Sequence, residues 1–180
     1  MKESASNGPL KHPEFEHLVE TYGAEIYAYL WRLFDGSVED AEDCLQDTYL
    51  KAFKAYHRLR PDSNYRAWLY KIATNSGFTL LKKNRRQTDF KEDLVVDYAS
   101  SLDDVVEQRI TLEQVTRAVN SLPEKQKSAL ILRKYQALAY DEIAAIIGGD
   151  EGSARANVYQ GLRKLRKMFN PDQLGIGGKL

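Results

Sequence analysis

The stretch Tyr140-Asp141-Glu142-Ile143-Ala144-Ala145-Ile146-Ile147-Gly148-Gly149-Asp150-Glu151-Gly152-Ser153-Ala154-Arg155 decides the fold of the second half of the chain. It reads as a short apolar helix, a glycine-containing turn and the start of a longer helix, which together make a helix-turn-helix. Each position has a mechanical reason. Ala144 is small where the second helix crosses closely, Gly148 permits a positive φ in the turn, and Asp150 can accept hydrogen bonds from the first amides of the next helix. Farther on, Ala154, Val158, Leu162, Leu165 and Phe169 recur at three and four and form a buried stripe. The opposite surface carries Arg155, Tyr159, Gln160, Arg163, Lys164 and Lys167, donors of the kind that reach base edges and phosphates in a major groove. The bland alternative is a packed helix pair with a solvated basic side. Small residue, glycine and apolar positions at these offsets favour DNA binding over it. Gly148-Gly149-Asp150-Glu151 also spells the start of a cyclic-dinucleotide synthase signature, but that belongs on a strand hairpin and here lies between helices.

Helical spacing continues outward from this unit. A helix is expected over 126–135, and an earlier one runs from about 103 through Val106, Ile110, Val115 and Val119 to the break at Ser121-Leu122-Pro123. Before that, Asp89, Glu92, Asp93 and Asp97 stand among scattered apolar residues without a sustained period, which reads as a linker. In the first half a helix over 14–34 precedes a long amphipathic one. From Val38 the latter carries Ala41, Leu45, Tyr49, Ala52, Phe53, Tyr56 and Leu59 and stops before Pro61. After the turn Arg60-Pro61-Asp62-Ser63-Asn64 a further helix places Trp68, Leu69, Ile72, Ala73, Ser76 and Leu80 on one face. The expectation is an all-α chain of two small helical domains, residues 12–86 and 105–169, joined by a flexible linker over 87–104, with a disordered tail over 170–180.

Composition narrows the function classes. The chain has 180 residues, 43% hydrophobic and 29% charged, enough apolar material for a core and too much for a disordered polymer. No apolar run approaches the roughly 18 residues of a membrane helix, and the mean hydropathy of -0.53 agrees, so no membrane partner is expected. The polar N-terminus has no export signal, and the lone Cys44 fits a reducing compartment, so the expected location is the cytoplasm. His12, His17 and His57 show no metal-ligand spacing, Glu42 and Asp43 are adjacent rather than spaced across a helix face, and no glycine-rich phosphate loop occurs. No enzyme activity, metal or cofactor is expected.

Net charge is zero, with 26 basic and 26 acidic residues, but the charges are segregated. Asp35, Glu39, Asp40, Glu42, Asp43 and Asp47 run without a basic interruption, whereas Lys82, Lys83, Arg85 and Arg86 cluster at the end of the promised third helix. Arg155, Arg163, Lys164, Arg166 and Lys167 form a second basic set. Such segregation points to one basic and one polyanionic partner on different surfaces. Tyr65, Trp68 and Tyr70 lie close to Lys71, Asn75 and the first basic cluster, a combination suited to single-stranded bases. Trp68 falls on the apolar face and reads as core; Tyr65, beside the polar turn, is the better stacking candidate.

Two blocks then resemble one family. Asp40-Ala41-Glu42-Asp43-Cys44-Leu45-Gln46-Asp47-Thr48-Tyr49 is similar to the polymerase-binding helix of the extracytoplasmic-function (ECF) sigma factors of bacterial RNA polymerase, whose pattern is Ala-Glu-Asp-x-x-Gln. Tyr65-Arg66-Ala67-Trp68-Leu69-Tyr70-Lys71-Ile72-Ala73-Thr74-Asn75 resembles their promoter-reading helix, and Ser121-Leu122-Pro123-Glu124-Lys125-Gln126 with Glu142-Ile143-Ala144 resembles the opening of their fourth region. The resemblance covers about 13–86 and 107–169. It implies that Glu42, Asp43, Gln46 and Asp47 hold the clamp coiled coil of the polymerase largest subunit. It also implies that Ser63, Asn64 and Tyr65 grip a flipped base of the minus-ten element while Lys71, Asn75, Lys82, Lys83, Arg85 and Arg86 contact the strand. The second domain would lie against the polymerase flap, with Arg155, Tyr159, Gln160, Arg163, Lys164 and Lys167 at the minus-thirty-five element. An anti-sigma factor is a further implied partner. Thr79 stands where the family usually has aspartate, Asn157 and Gln160 where arginine is common, and Gly149 where an apolar residue is usual, departures that bear on promoter sequence rather than fold.

Two rivals remain at this point. A stand-alone helix-turn-helix regulator that binds duplex operators without polymerase accounts for 140–169 but leaves the acidic helix and the aromatic turn without purpose. A sigma mimic that sequesters an anti-sigma factor would keep the fold and lose the DNA contacts, which the basic helix ends disfavour.

Overall fold

The computed structural model describes residues 13–89 and 112–169, in which there are seven helices and no strand. The first three, α1 (Phe15–Leu33), α2 (Val38–Tyr56) and α3 (Tyr65–Asp89), form one bundle, and α1 packs on both of the others. Helix α1 ends where Asp35 and Gly36 take positive φ values of 61° and 86°, and Ser37 starts α2 by accepting a hydrogen bond from the Asp40 amide at 3.3 Å. The core joins Ile26, Tyr29, Leu30 and Leu33 of α1 to Ala41, Cys44 and Ala52 of α2 and to Leu69, Tyr70 and Ala73 of α3, all buried. Each large aliphatic side chain so buried contributes about 1.5–3 kcal/mol. Gly77 marks the closest approach of α3 to α1, since a Cβ there would stand 2.7 Å from Leu33 Cδ2.

The second bundle comprises α4 (Leu112–Asn120), α5 (Glu124–Lys134), α6 (Tyr140–Ile147) and α7 (Glu151–Met168). Ile143, Ala144, Ile146 and Ile147 of α6 and Ala154 and Val158 of α7 are buried, and α4 lies along α7. Helix α5 differs from the others because residues 127–132 are buried all round, the polar Lys127 and Ser128 included. The reason is that α5 packs on α6 and α7 and also on α1, while α6 packs on α3. The two bundles therefore share an interface.

Two local expectations need correction. Phe53 was expected on the buried stripe of α2, but it is 61% exposed, touching Phe15 edge-on at 5.3 Å. The buried line is instead Ala41, Cys44, Thr48 and Ala52, with Thr48 Oγ1 donating back to the Cys44 carbonyl at 2.7 Å, so a small polar residue replaces the expected aromatic. Helix α2 also stops at Tyr56 rather than reaching Leu59. Helix α3 continues to Asp89, into the segment expected as linker. The remainder of that linker, the expected helical start near residue 103 and the tail expected over 170–180 lie outside the described residues.

Candidate nucleic-acid interface

In the helix-turn-helix each mechanical expectation has its counterpart. Gly148 has φ 78°, Ala144 is buried, and Asp150 Oδ1 accepts from the Ser153 amide at 2.7 Å, a bond that holds the Asp150 carboxyl below its usual range. Ala154 and Val158 face inward, Leu162 and Leu165 are half-buried, and the buried Gly161 lies where α7 meets the Gln126 carbonyl and Leu122. With that side committed to the core, Arg155, Tyr159, Gln160, Arg163, Lys164 and Lys167 all project into solvent, and the last four of the row without Tyr159 line a shallow cleft of about 280 Å³. Two of these side chains are already placed. The Arg155 guanidinium lies 4.5 Å over the Tyr140 ring and donates to Glu151 Oε1 at 2.5 Å. Arg133 stacks on the same tyrosine at 4.6 Å and donates to the Leu138 carbonyl, and Gln160 Oε1 accepts from Gln126 Nε2 at 2.9 Å. Nothing in the one-dimensional pattern pointed to Tyr140 as a support for Arg155; the clue available was an aromatic at the first position of α6 beside an arginine early in α7.

On the first bundle the turn before α3 holds Ser63, Asn64 and Tyr65 together. Asn64 Oδ1 caps α3 by accepting from the Ala67 amide at 2.9 Å, the Ser63 amide donates to the Arg60 carbonyl, and Tyr65 Oη donates to the Pro61 carbonyl at 3.2 Å, holding a half-buried ring beside Tyr56. Trp68 is half-buried against the core, as its spacing implied. Lys71, Asn75, Lys82, Lys83, Arg85 and Arg86 are exposed along α3. Several members of this surface face the second bundle: Asn64 Nδ2 donates to Glu142 Oε1 at 3.1 Å, Lys71 Nζ to the Ala145 carbonyl at 2.5 Å, and Arg85 pairs with Glu124 at 3.3 Å.

The acidic surface is on α2. Glu42, Asp43, Gln46 and Asp47 are exposed, and Asp47 pairs with Lys51 at 2.6 Å. Partial burial raises the Asp47 carboxyl, but Lys51, Ser76 and Lys54 together outweigh it and leave the group below its ordinary value. Leu50, which the sequence stripe left out, and Phe53, which it counted as apolar and inward, are each 61% exposed and prolong the same side of the helix. Grouped exposed apolar side chains beside a charged row are a common feature of interaction surfaces. No helix among the described residues is long and apolar enough to cross a membrane.

Comparison with known proteins places the two bundles in one family. Residues 18–87 match Sigma-70 region 2, and residues 112–165 match Sigma-70, region 4. The RNA polymerase sigma factor YlaC of Bacillus subtilis is 30% identical over 170 residues, covering 88% of this chain and 94% of that protein. The ECF RNA polymerase sigma-E factor of Haemophilus influenzae is 27% identical, covering 87% and 88%. ECF RNA polymerase sigma factor SigE of Mycolicibacterium smegmatis is 28% identical over 86% of this chain, which spans 61% of that longer protein. Among solved structures, the sigma factor RpoE of Bartonella quintana, crystallised with the anti-sigma factor NepR, shares the fold with a TM-score of 0.70 at 24% identity, covering 92% of this chain and 99% of that one. CnrH in complex with the cytosolic domain of CnrY follows at 0.63 and 22%, covering 91% and 89%. With region 2 and region 4 matched in order and such a relative covered almost end to end, the chain belongs to the sigma-70 family of RNA polymerase factors, in its ECF group, and is an alternative sigma factor of transcription initiation.

Proposed function

We propose that the three surfaces divide the work of initiation. The first domain, residues 12–86, docks on the clamp coiled coil of the polymerase largest subunit through Glu42, Asp43, Gln46 and Asp47 of α2, with Leu50 and Phe53 adding apolar area at the end of the row. Its turn Ser63, Asn64 and Tyr65 takes an unstacked base of the minus-ten element, and Lys71, Asn75, Lys82, Lys83, Arg85 and Arg86 hold the strand. The second domain, residues 105–169, sits between the polymerase flap and the minus-thirty-five element, reading it with Arg155, Tyr159, Gln160 and Arg163 and holding phosphates with Lys164 and Lys167. The protein does no covalent chemistry of its own and acts in the cytoplasm, where polymerase and promoter are. The solved RpoE of Bartonella quintana carries an anti-sigma factor, and a partner of that kind is part of this reading.

One observation carries it: charges that cancel to zero over the chain are sorted onto an exposed acidic helix and two separate exposed basic surfaces. A protein that only bound duplex operators would have no use for the first. The test is run-off transcription with core polymerase and a genomic promoter library, with and without this protein. A discrete set of new transcripts is the expected result. Sequence-specific binding to duplex DNA without polymerase, together with no new transcript, would return the stand-alone regulator.

A further inference from the structure

We propose that Glu151 is a second base-reading residue of α7. Together with Arg155 it reads one G·C base pair of the upstream element across its whole major-groove edge, the guanidinium on guanine and the carboxylate on the N4 amine of cytosine. This rests on the functional reading of α7 given above and adds a residue to it. The chemistry starts from charge. A lone arginine near the start of a recognition helix is drawn to any phosphate, and phosphate contacts position a protein without telling it the sequence. Arg155 is not alone, because its Nη2 donates to Glu151 Oε1 at 2.5 Å, one turn back along α7. The pair carries no net charge and its carboxylate repels the phosphate backbone, so its fitting partner is a base edge that sets acceptors and a donor side by side.

The G·C pair has such an edge. In the major groove it presents guanine N7 and O6, both acceptors, and then the N4–H donor of cytosine. Guanidinium N–H groups answer the first two and a carboxylate oxygen answers the third. An A·T pair would set the carboxylate against thymine O4, and a reversed pair would set it against guanine acceptors, so the two side chains read direction as well as composition. The geometry supplies the parts. Glu151 and Arg155 are both exposed in the first two turns of α7, the part of a recognition helix that meets base edges. Their mutual bond uses one of the five guanidinium N–H groups and one carboxylate oxygen. Nor does the arginine swing freely, since it lies 4.5 Å over the Tyr140 ring, a contact made through charge that keeps its N–H groups for other partners. Tyr140 is half-buried against the core, and Arg133, tied to the Leu138 carbonyl at 2.8 Å, lies 4.6 Å over the same ring. Fork and carboxylate are thus held in one arrangement before DNA arrives, which lowers the cost of ordering them on binding. As a plain helix pair, Glu151 would complement the dipole of α7 and steady Arg155 while touching no base.

The test uses holoenzyme assembled from core polymerase and the full chain, on a promoter whose cytosine in the base pair assigned to Arg155 is replaced by N4-methylcytosine. That base pair is the one whose guanine preference Arg155→Ala relaxes in a profile over all single substitutions. N4-methylcytosine still pairs with guanine through its remaining N4–H, leaves N7 and O6 in place, and puts a methyl group where the groove-facing N4–H stood. For the parent chain the holoenzyme concentration giving half-maximal promoter binding should rise about tenfold on the methylated promoter. Glu151→Ala should bind the two promoters alike, within about twofold, and keep a guanine preference through Arg155. Equal sensitivity to the methyl group in the parent and in Glu151→Ala overturns the proposal, and so does a parent chain indifferent to it, an arm that needs no substitution in the protein. A profile that Arg155→Ala leaves unchanged removes α7 from the groove and takes this proposal with it. A profile that Arg155→Ala relaxes, with a parent chain blind to the methyl group, strikes Glu151 alone and leaves the reading of α7 standing.

Discussion

The outward side of α2 and the N-terminal half of α3 belong to the same bundle, yet they stand in different conditions. Glu42, Asp43 and Gln46 project into solvent, whereas Asn64 and Lys71 are bonded to α6. The difference has a chemical root. Helix α2 presents carboxylates that the second bundle cannot match on its α6 side, since the first turn of α6 is itself acidic with Asp141 and Glu142. Helix α3 presents amide and ammonium donors, which that same acidic turn and its carbonyls can accept. In this arrangement the carboxylates of α2 stay open to solvent while Asn64 and Lys71 are engaged within the chain.

The sharpest way to break this comparison is to reverse the exposed side. Glu42→Lys with Asp43→Lys should abolish detectable association with core polymerase, a loss of at least about 100-fold for two desolvated charge contacts turned repulsive. Circular dichroism should be unchanged because both side chains are exposed. Normal co-purification with core enzyme would remove α2 from the polymerase interface.

On the covered side the effects should be smaller and specific to one step. Tyr65→Ala should cost about 1–3 kcal/mol if the ring stacks on an unpaired base. The loss should fall on open-complex formation, and should be greater on a duplex promoter than on one carrying a pre-melted bubble. Since Tyr65 Oη also bonds the Pro61 carbonyl, Tyr65→Phe separates the two roles: it keeps the stacking face and loses the anchor. Equal losses for alanine on both templates would assign the ring to packing beside Tyr56 instead.

How much of this was legible in the chain follows from which forces are periodic. Helices α1, α2, α3, α4 and α7 lie in segments whose apolar residues recur at three and four, α5 and α6 carry shorter unbroken apolar runs, and Gly148 and Asp150 marked the turn because positive φ and capping demand particular residues there. Phe53 was misplaced because two apolar series overlap at Ala52 and Phe53, and only packing reveals that Thr48 belongs to the buried one. The inter-bundle contact had no such signal. Tyr29, Lys127, Ser128, Arg66 and Glu142 carry it, and a polar residue's partner 70 to 99 positions away leaves no trace in local spacing. The expected surface residues were mostly found exposed, but which of them are engaged depends on the other bundle.

On the recognition helix one residue reads and another holds. Arg155→Ala should cost about 1–3 kcal/mol and relax preference at one upstream base pair if its guanidinium makes a bidentate guanine contact. Tyr140→Leu should give part of that loss at the same base pair, because it removes the ring on which Arg155 rests while leaving the arginine. Lys167→Ala should weaken all upstream sequences alike and make binding less salt dependent, by about one phosphate contact. Preference profiles over all single substitutions of the upstream element distinguish these three. Unchanged profiles for Arg155→Ala and for Gln160→Ala, whose amide is expected to read an adenine, would return α7 to a packed helix with a solvated basic side.

The smallest expected effect is an absence of change, and it sharpens the comparison most. Cys44 lies under the acidic face, buried between α2 and α3, with Sγ 4.0 Å from the Ala73 carbonyl. Burial pushes its thiol up from 9.0 to about 12, so at neutral pH almost none is present as the reactive thiolate. The folded chain keeps a proton that the unfolded chain releases above 9.0, so this group contributes stability below that pH and loses it as pH rises toward about 12. Ser128→Glu sets a carboxylate against Tyr29 where α5 meets α1, and if it parts the two bundles while α1, α2 and α3 stay together, Cys44 should remain as resistant to alkylation as in the parent chain. Full labelling in denaturant provides the reference. A thiol that reacts faster in the opened variant would mean that the first bundle loosens along with the interface, and the exposed α2 face and the covered α3 face would then be parts of one cooperative unit rather than surfaces presented in turn.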